Sequence, residues 1–154
     1  METAANMAAD DLRDMYAMHT LFRREFGLAP SLVCDVRDQD TDRARFVCEH
    51  IDLMLRLLMI HHERQEACPR FHRSGHDQDG HGHSRSVVRL VKGQHAKLHA
   101  VYDEIGALMK AWRASASEID AKSLAIALKR FAFLLNDYMA LREEQILWPR
   151  TASF

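Results

Sequence analysis

Four stretches of this chain repeat apolar residues at alternating steps of three and four, and none alternates at the two-residue period of a half-buried strand. Such stripes are buried only by laying helices against one another. The first run starts at Asp10, an N-cap residue type, and carries Leu12, Met15, Tyr16, Phe22 and Phe26; Gly27 and Pro30 are expected to close it. The second begins near Thr41, after a polar stretch from Asp35 to Asp42, carries Val47, Ile51, Leu55 and Leu58, and ends before Pro69. Residues Arg70 to Ser84 hold glycines, histidines and a single large apolar side chain, Phe71, the composition of a solvated loop. The third run places Val88, Val91, His95, Leu98, Tyr102, Ile105, Met109 and Trp112 on one seam. The fourth opens at a capping box, Ser115 to Glu118, and passes Leu124, Leu128, Phe131, Leu135 and Tyr138 towards Pro149. The expectation is an all-α, up-and-down four-helix bundle in one domain spanning 8–149.

With 154 residues, 47% of them apolar, the chain can bury a core without disulfides. Its 21 basic and 22 acidic residues nearly cancel, which leaves no basic field to attract nucleic acid or anionic lipid. Cys34, Cys48 and Cys68 are odd in number and lack C-x-x-C spacing, so they read as apolar filling in a reducing, cytoplasmic compartment. The richest apolar stretch, Leu53 to Ile60, is broken by Arg56 and too short to cross a bilayer, and the N-terminus has no export pattern.

The chain carries ten histidines, several times the usual share, and their positions are informative. In the second run His62 and Glu66 stand four apart, one helical turn from each other, and continue the stripe of Ile51, Leu55 and Leu58. An imidazole and a carboxylate thus fall where aliphatic side chains belong. Buried without partners they cost on the order of 1–3 kcal/mol each or more, and a metal is one natural compensation. The third run repeats the device with His95 and His99, and the first adds His19 between Tyr16 and Phe22. The fourth holds no histidine but offers Tyr138 followed five residues later by Glu143, with Glu144 beside it. Taken singly, His19 reads as a hydrogen-bonded core histidine and His62 with Glu66 as a surface pair worth a few tenths of a kcal/mol. The repetition across runs reverses that reading. Mixed imidazole and carboxylate sets bind most first-row metals, so iron is an inference from the set and not a property of any one residue.

His19 in MYAMHTLFRREF, His62 and Glu66 in IHHERQEACP, His95 and His99 in GQHAKLH, and Glu143 or Glu144 in REEQILWP together resemble the hemerythrin and HHE-type cation-binding family, over roughly Met15 to Pro149. The resemblance implies two non-haem irons, oxo- or hydroxo-bridged, between the helices. It also implies one bridging glutamate from the second helix, another from the fourth, terminal histidines, and an open position for dioxygen, peroxide or nitric oxide. The metal ligands it points to are His19, His62, Glu66, His95, His99, Tyr138 and Glu143. Two departures stand out. Tyr138 or Met139 replaces the family's last histidine, and Gln65 stands where HHxxEE members carry a carboxylate, which leaves Glu66 as the bridging ligand of the second helix; the choice between His61 and His62 stays open. Loss of a histidine weakens the case for reversible oxygen carriage and favours peroxide or nitric-oxide chemistry, with peroxide decomposition as a family-level activity.

His50 lies eleven residues before His61, about 16 Å along a helix axis, so the two cannot share one iron, although His50 is a candidate further ligand or supporting donor. The loop histidines His72, His76, His81 and His83 read as a polar loop. A second function class is an iron-responsive regulatory or iron-buffering module that tightens on metal without redox turnover. A third, a metal-free helical interaction module, requires the histidine pairs to face solvent.

Overall fold

The computed structural model describes residues 4–67 and 82–151, with side chains at 10–65 and 89–144. Four helices follow one another, α1 (Ala4–Cys34), α2 (Thr41–Ala67), α3 (Gly82–Ser115) and α4 (Glu118–Thr151), with no strand among the described residues. They form the expected all-α four-helix bundle. Helix α4 lies close against α3 and α1, whereas α2 stands further from its neighbours α1 and α3. Among the described residues no helix is long and apolar enough to cross a membrane.

The buried positions keep to three- and four-residue steps. On α1 they include Leu12, Met15, His19, Phe22, Phe26, Ala29 and Val33; on α4 they include Ala121, Leu124, Leu128, Phe131, Leu135, Tyr138 and Arg142. Tyr16 is exposed and lies off the stripe, so His19 fills the gap between Met15 and Phe22. Polar side chains enter this core at His19, His62, Gln65 and Arg142. All four belong to one level of the bundle.

Helix α1 does not stop at Gly27 or Pro30 but continues to Cys34. Proline inside a helix removes the bond to the carbonyl four residues back and costs on the order of 3 kcal/mol. Ala29 and Val33, on either side of it, are both buried, and their packing carries the helix through the break. Helix α3 likewise begins earlier than its apolar seam, at Gly82, so residues 82–84 are helical where a loop was expected; the rest of that loop lies outside the described residues. Helix α4 extends past Pro149 to Thr151.

The two short turns meet at one end of the bundle. Asp40 caps α2, its Oδ1 accepting the Arg43 amide at 3.0 Å. The cap of α4 is Ser117, not Ser115: Ser117 Oγ accepts the Asp120 amide at 3.1 Å, while Ser115 Oγ bonds the Asp120 carboxylate. The Gln39 amide donates to the Ala116 carbonyl at 2.9 Å, and the Glu118 amide to Asp38 Oδ1 at 2.9 Å. Gln39 and Ala116 hold positive φ angles of 68° and 48°, the left-handed conformation that turns each chain end back on itself.

Candidate metal centre

Four helices deliver polar side chains to the same level. Counting from the turn end, His61, His95 and Tyr138 each lie twenty residues along their helices, roughly 30 Å at the usual rise. The seam positions that carry leucine or phenylalanine nearer the turns carry imidazole, amide, phenol and guanidinium here.

Two groups can be distinguished. The first lies between α1, α2 and α4. His19 is 1% exposed; its Nδ1 meets Glu143 Oε1 at 2.9 Å and its Nε2 meets His61 Nε2 at 3.1 Å. A carboxylate only accepts, so His19 carries its proton on Nδ1 and presents a lone pair at Nε2, to which the His61 Nε2–H donates. The Gln65 amide nitrogen approaches the same His19 Nε2 at 3.3 Å. Arg23, one turn along from His19, reaches both oxygens of Glu143 with one guanidinium nitrogen, at 3.0 and 3.1 Å. The ring edge of His61 also packs on Phe22, with centroids 5.6 Å apart.

The second group lies between α2, α3 and α4. The His62 ring centre is 4.8 Å from that of Tyr138 and 5.7 Å from that of His95; His95 is 4.5 Å from His99 and 6.0 Å from Tyr138. His62 is 5% exposed, and its Nε2 is buried with no hydrogen-bond partner among the described residues. Arg142 Nε donates to the Tyr138 hydroxyl at 3.0 Å, and its guanidinium carbon stands 5.5 Å from the Tyr138 ring centre. A narrow cleft of ≈ 10 Å³, room for about one water, opens beside His62 among Leu58, Met59, Leu98 and Phe131.

These imidazoles are held neutral. Burial pushes His62 down to about 3, reinforced by His61 and His95, and pushes His61 down to about 4, reinforced by His19. Burial also lowers His19, against the opposing pull of Glu143. Neutral imidazole is the metal-binding form.

The expected residues are therefore distributed over both groups. His19 and Glu143 belong to the first; His62, His95, His99 and Tyr138 belong to the second. Glu66 is in helix α2, one turn beyond His62, and its side chain lies outside the described residues. Glu144 is exposed, and Glu143 is the carboxylate turned towards α1. His61, Gln65, Arg23 and Arg142 share the level although the ligand set implied by the resemblance omits them. Arg23 stands four residues from His19 and Arg142 four from Tyr138, both members of that set, while His61 and Gln65, four apart on α2, both approach His19 Nε2. His50 is no part of the centre; its Nε2 meets Glu25 Oε2 at 2.9 Å across α1 and α2. Cys48 is a buried core residue, Cys34 is exposed, and Cys68 and the loop histidines His72 and His76 lie outside the described residues, as do the side chains of His81 and His83.

Among the described residues no group of three or more His, Cys, Asp or Glu side chains is placed to hold a metal ion; the side chain of Glu66 lies outside them. Two observations nevertheless fit the second group to a metal. Two imidazoles on one metal at right angles keep their ring centres roughly 4.5 Å apart, given bonds of about 2.0–2.1 Å; the His95 and His99 rings stand at that spacing, and His62 is wider, 5.7 Å from His95. The buried, unpartnered Nε2 of His62 is the kind of atom a metal satisfies. Compared with protein-family models, curated proteins and solved structures, the chain shows no significant match.

Proposed function

We propose that this chain is a cytoplasmic non-haem iron protein, of the hemerythrin type its histidine pattern resembles, that binds or reacts with a small oxidant such as dioxygen, peroxide or nitric oxide. The observation that carries the reading is the buried His62 Nε2, bare among the described residues and surrounded by two more histidines and a tyrosine. His62, His95 and His99 would hold iron through their ring nitrogens, with Tyr138 and Glu66 as further donors, while His19 and Glu143, also named by the resemblance, belong to the neighbouring group. Bound there, iron supplies a one-electron change and a position for a small ligand. The protein's own part is to fix the imidazoles by packing, to keep His62 neutral by burial, and to restrict access. The cleft beside His62 has room for about one water-sized molecule, which is in keeping with a small ligand. Arg142 sets a permanent positive charge beside the Tyr138 oxygen, where it would stabilise negative charge that builds on a bound oxidant as the oxidant accepts electrons.

Elemental analysis of protein expressed in iron-supplemented medium, paired with an ultraviolet-visible spectrum, tests this. Stoichiometric iron that falls below about a tenth in His62→Ala is the expected result, and a broad visible band implicates Tyr138 as a phenolate ligand. Folded wild-type protein that stays iron-free sinks the proposal.

The spacing of α2 from α1 and α3 favours a second reading, an iron-responsive module in which metal draws α2 inward. Iron-dependent tightening with no turnover of peroxide and no nitric-oxide adduct would select it.

A further inference from the structure

The two groups at the polar level differ in the kind of atom that the described residues leave without a hydrogen-bond partner. In the group between α1, α2 and α4, the lone pair of His19 Nε2 faces the His61 and Gln65 nitrogens at 3.1 and 3.3 Å. Both oxygens of Glu143 are taken as well, Oε1 by His19 and Arg23 and Oε2 by Arg23. The carboxylate that the resemblance assigns to bridging two metals therefore neutralises a guanidinium. At Gln65 the chain holds a neutral amide, and the layer's formal charge is already balanced by Glu143 and Arg23. Gln65 Oε1 is left bare among the described residues, but a neutral amide oxygen is satisfied by a water or a donor as readily as by a metal. In the group between α2, α3 and α4 the bare atom is an imidazole nitrogen, a strong ligand for first-row divalent cations.

We infer that the bundle takes one divalent transition-metal ion, not two. The ion sits among His62, His95 and His99, and Arg23 supplies at Glu143 the positive charge that a second ion would otherwise bring. Arg23 is suited to this. It stands one turn from His19 on the same face of α1, so the residue that would ligate a second metal and the residue that replaces it are positioned by the same helical turn. Its guanidinium stays charged at any working pH. Admitting a second ion requires breaking the Arg23–Glu143 pair and the His61–His19 hydrogen bond together and placing two positive charges beside a third. Arg142, bonded to Tyr138, makes the phenol a poorer partner for a cation and leaves the three imidazoles as the principal ligands of the single ion.

This inference rests on the metal-binding reading, and one experiment separates the two. Metal-free full-length protein is titrated anaerobically with ferrous ion, and bound iron per chain is measured after desalting, with far-ultraviolet circular dichroism confirming the fold. Wild type is expected to saturate at one iron. Arg23→Lys, which keeps the charge, should also saturate at one, and the double variant Arg23→Met with Gln65→Glu, which restores a carboxylate and removes the cation, should approach two. Wild type saturating at two overturns the single-ion inference and leaves metal binding intact; wild type binding none overturns both. A folded double variant that stays at one removes Arg23 from the role given to it, and should that variant fail to fold, wild-type saturation still decides the count.

Discussion

Adjacent residues on an α-helix point about 100° apart, and at positions 61 and 62 that rotation divides the centre in two. His61 faces His19 on α1, while His62 faces His95 on α3 and Tyr138 on α4. The sequence spacing selects His62 with Glu66 as an i,i+4 pair and passes over His61, so periodicity marks the level but does not assign each histidine to a neighbour. That assignment depends on the rotation of α2 about its axis, which is set by core packing of Ile51, Leu55 and Leu58. Arg23 and Arg142 were invisible for a related reason. Arginine four residues from a histidine or tyrosine reads as a solvated face until a partner helix closes over it. The buried histidines also make a pH prediction for the metal-free protein. His62 and His61 titrate near 3 and 4 in the fold, against 6.5 for the ordinary side chain. Between those values the unfolded chain binds more protons than the folded one, so stability rises with pH across the interval. Urea midpoints should be highest above about pH 6.5 and fall steadily towards pH 4, with a flatter profile in His62→Leu; a midpoint independent of pH in wild type would show that the imidazoles are not held neutral.

At the level of elements, the four helices were legible from their stripes, and the misread boundaries share one cause. Gly27 and Pro30 are local stop signals, overruled by the burial of Ala29 and Val33. The glycine cluster hid the start of α3, and the cap of α4 was displaced because Ser115 and Ser117 offer the same chemistry two residues apart. Two substitutions measure these local terms. A Cβ built at Gly106, in the middle of α3, meets nothing within 4 Å, so Gly106→Ala should raise stability by about 0.8–1 kcal/mol. Ser117→Ala removes the acceptor for the Asp120 amide and should cost about 1 kcal/mol. Chemical denaturation of both variants checks the signs, and a destabilising Gly106→Ala would mean that α3 packs against more than the described contacts.

On the scale of the whole molecule, four stripes and the absence of any strand pattern were enough to specify the bundle, because helices with a single apolar face have few ways to bury it. The unequal spacing of the helices was not legible, since it depends on side-chain volumes meeting across the core and not on periodicity. It bears directly on function: α2 carries His61, His62 and Gln65 yet lies furthest from its neighbours. Metal binding should therefore protect α2 amides from hydrogen exchange more than those of α4. Exchange measured with and without ferrous ion tests this, and equal protection of both helices would show that the metal does not act through α2.

The hydrogen bonds that tie the α1–α2 turn to the α3–α4 turn give this uneven packing a mechanical meaning. A rod fixed near one end moves most at the other, and the polar level lies roughly 30 Å from the fixed end. Over that length a tilt of about 2° displaces a side chain by about 1 Å. Opening a passage for a small molecule beside His62 thus requires no melting of helix and no broken core contact near the turns. A swing of α2 much smaller than the ordinary scatter in helix crossing angles moves its side chains at the polar level by that distance.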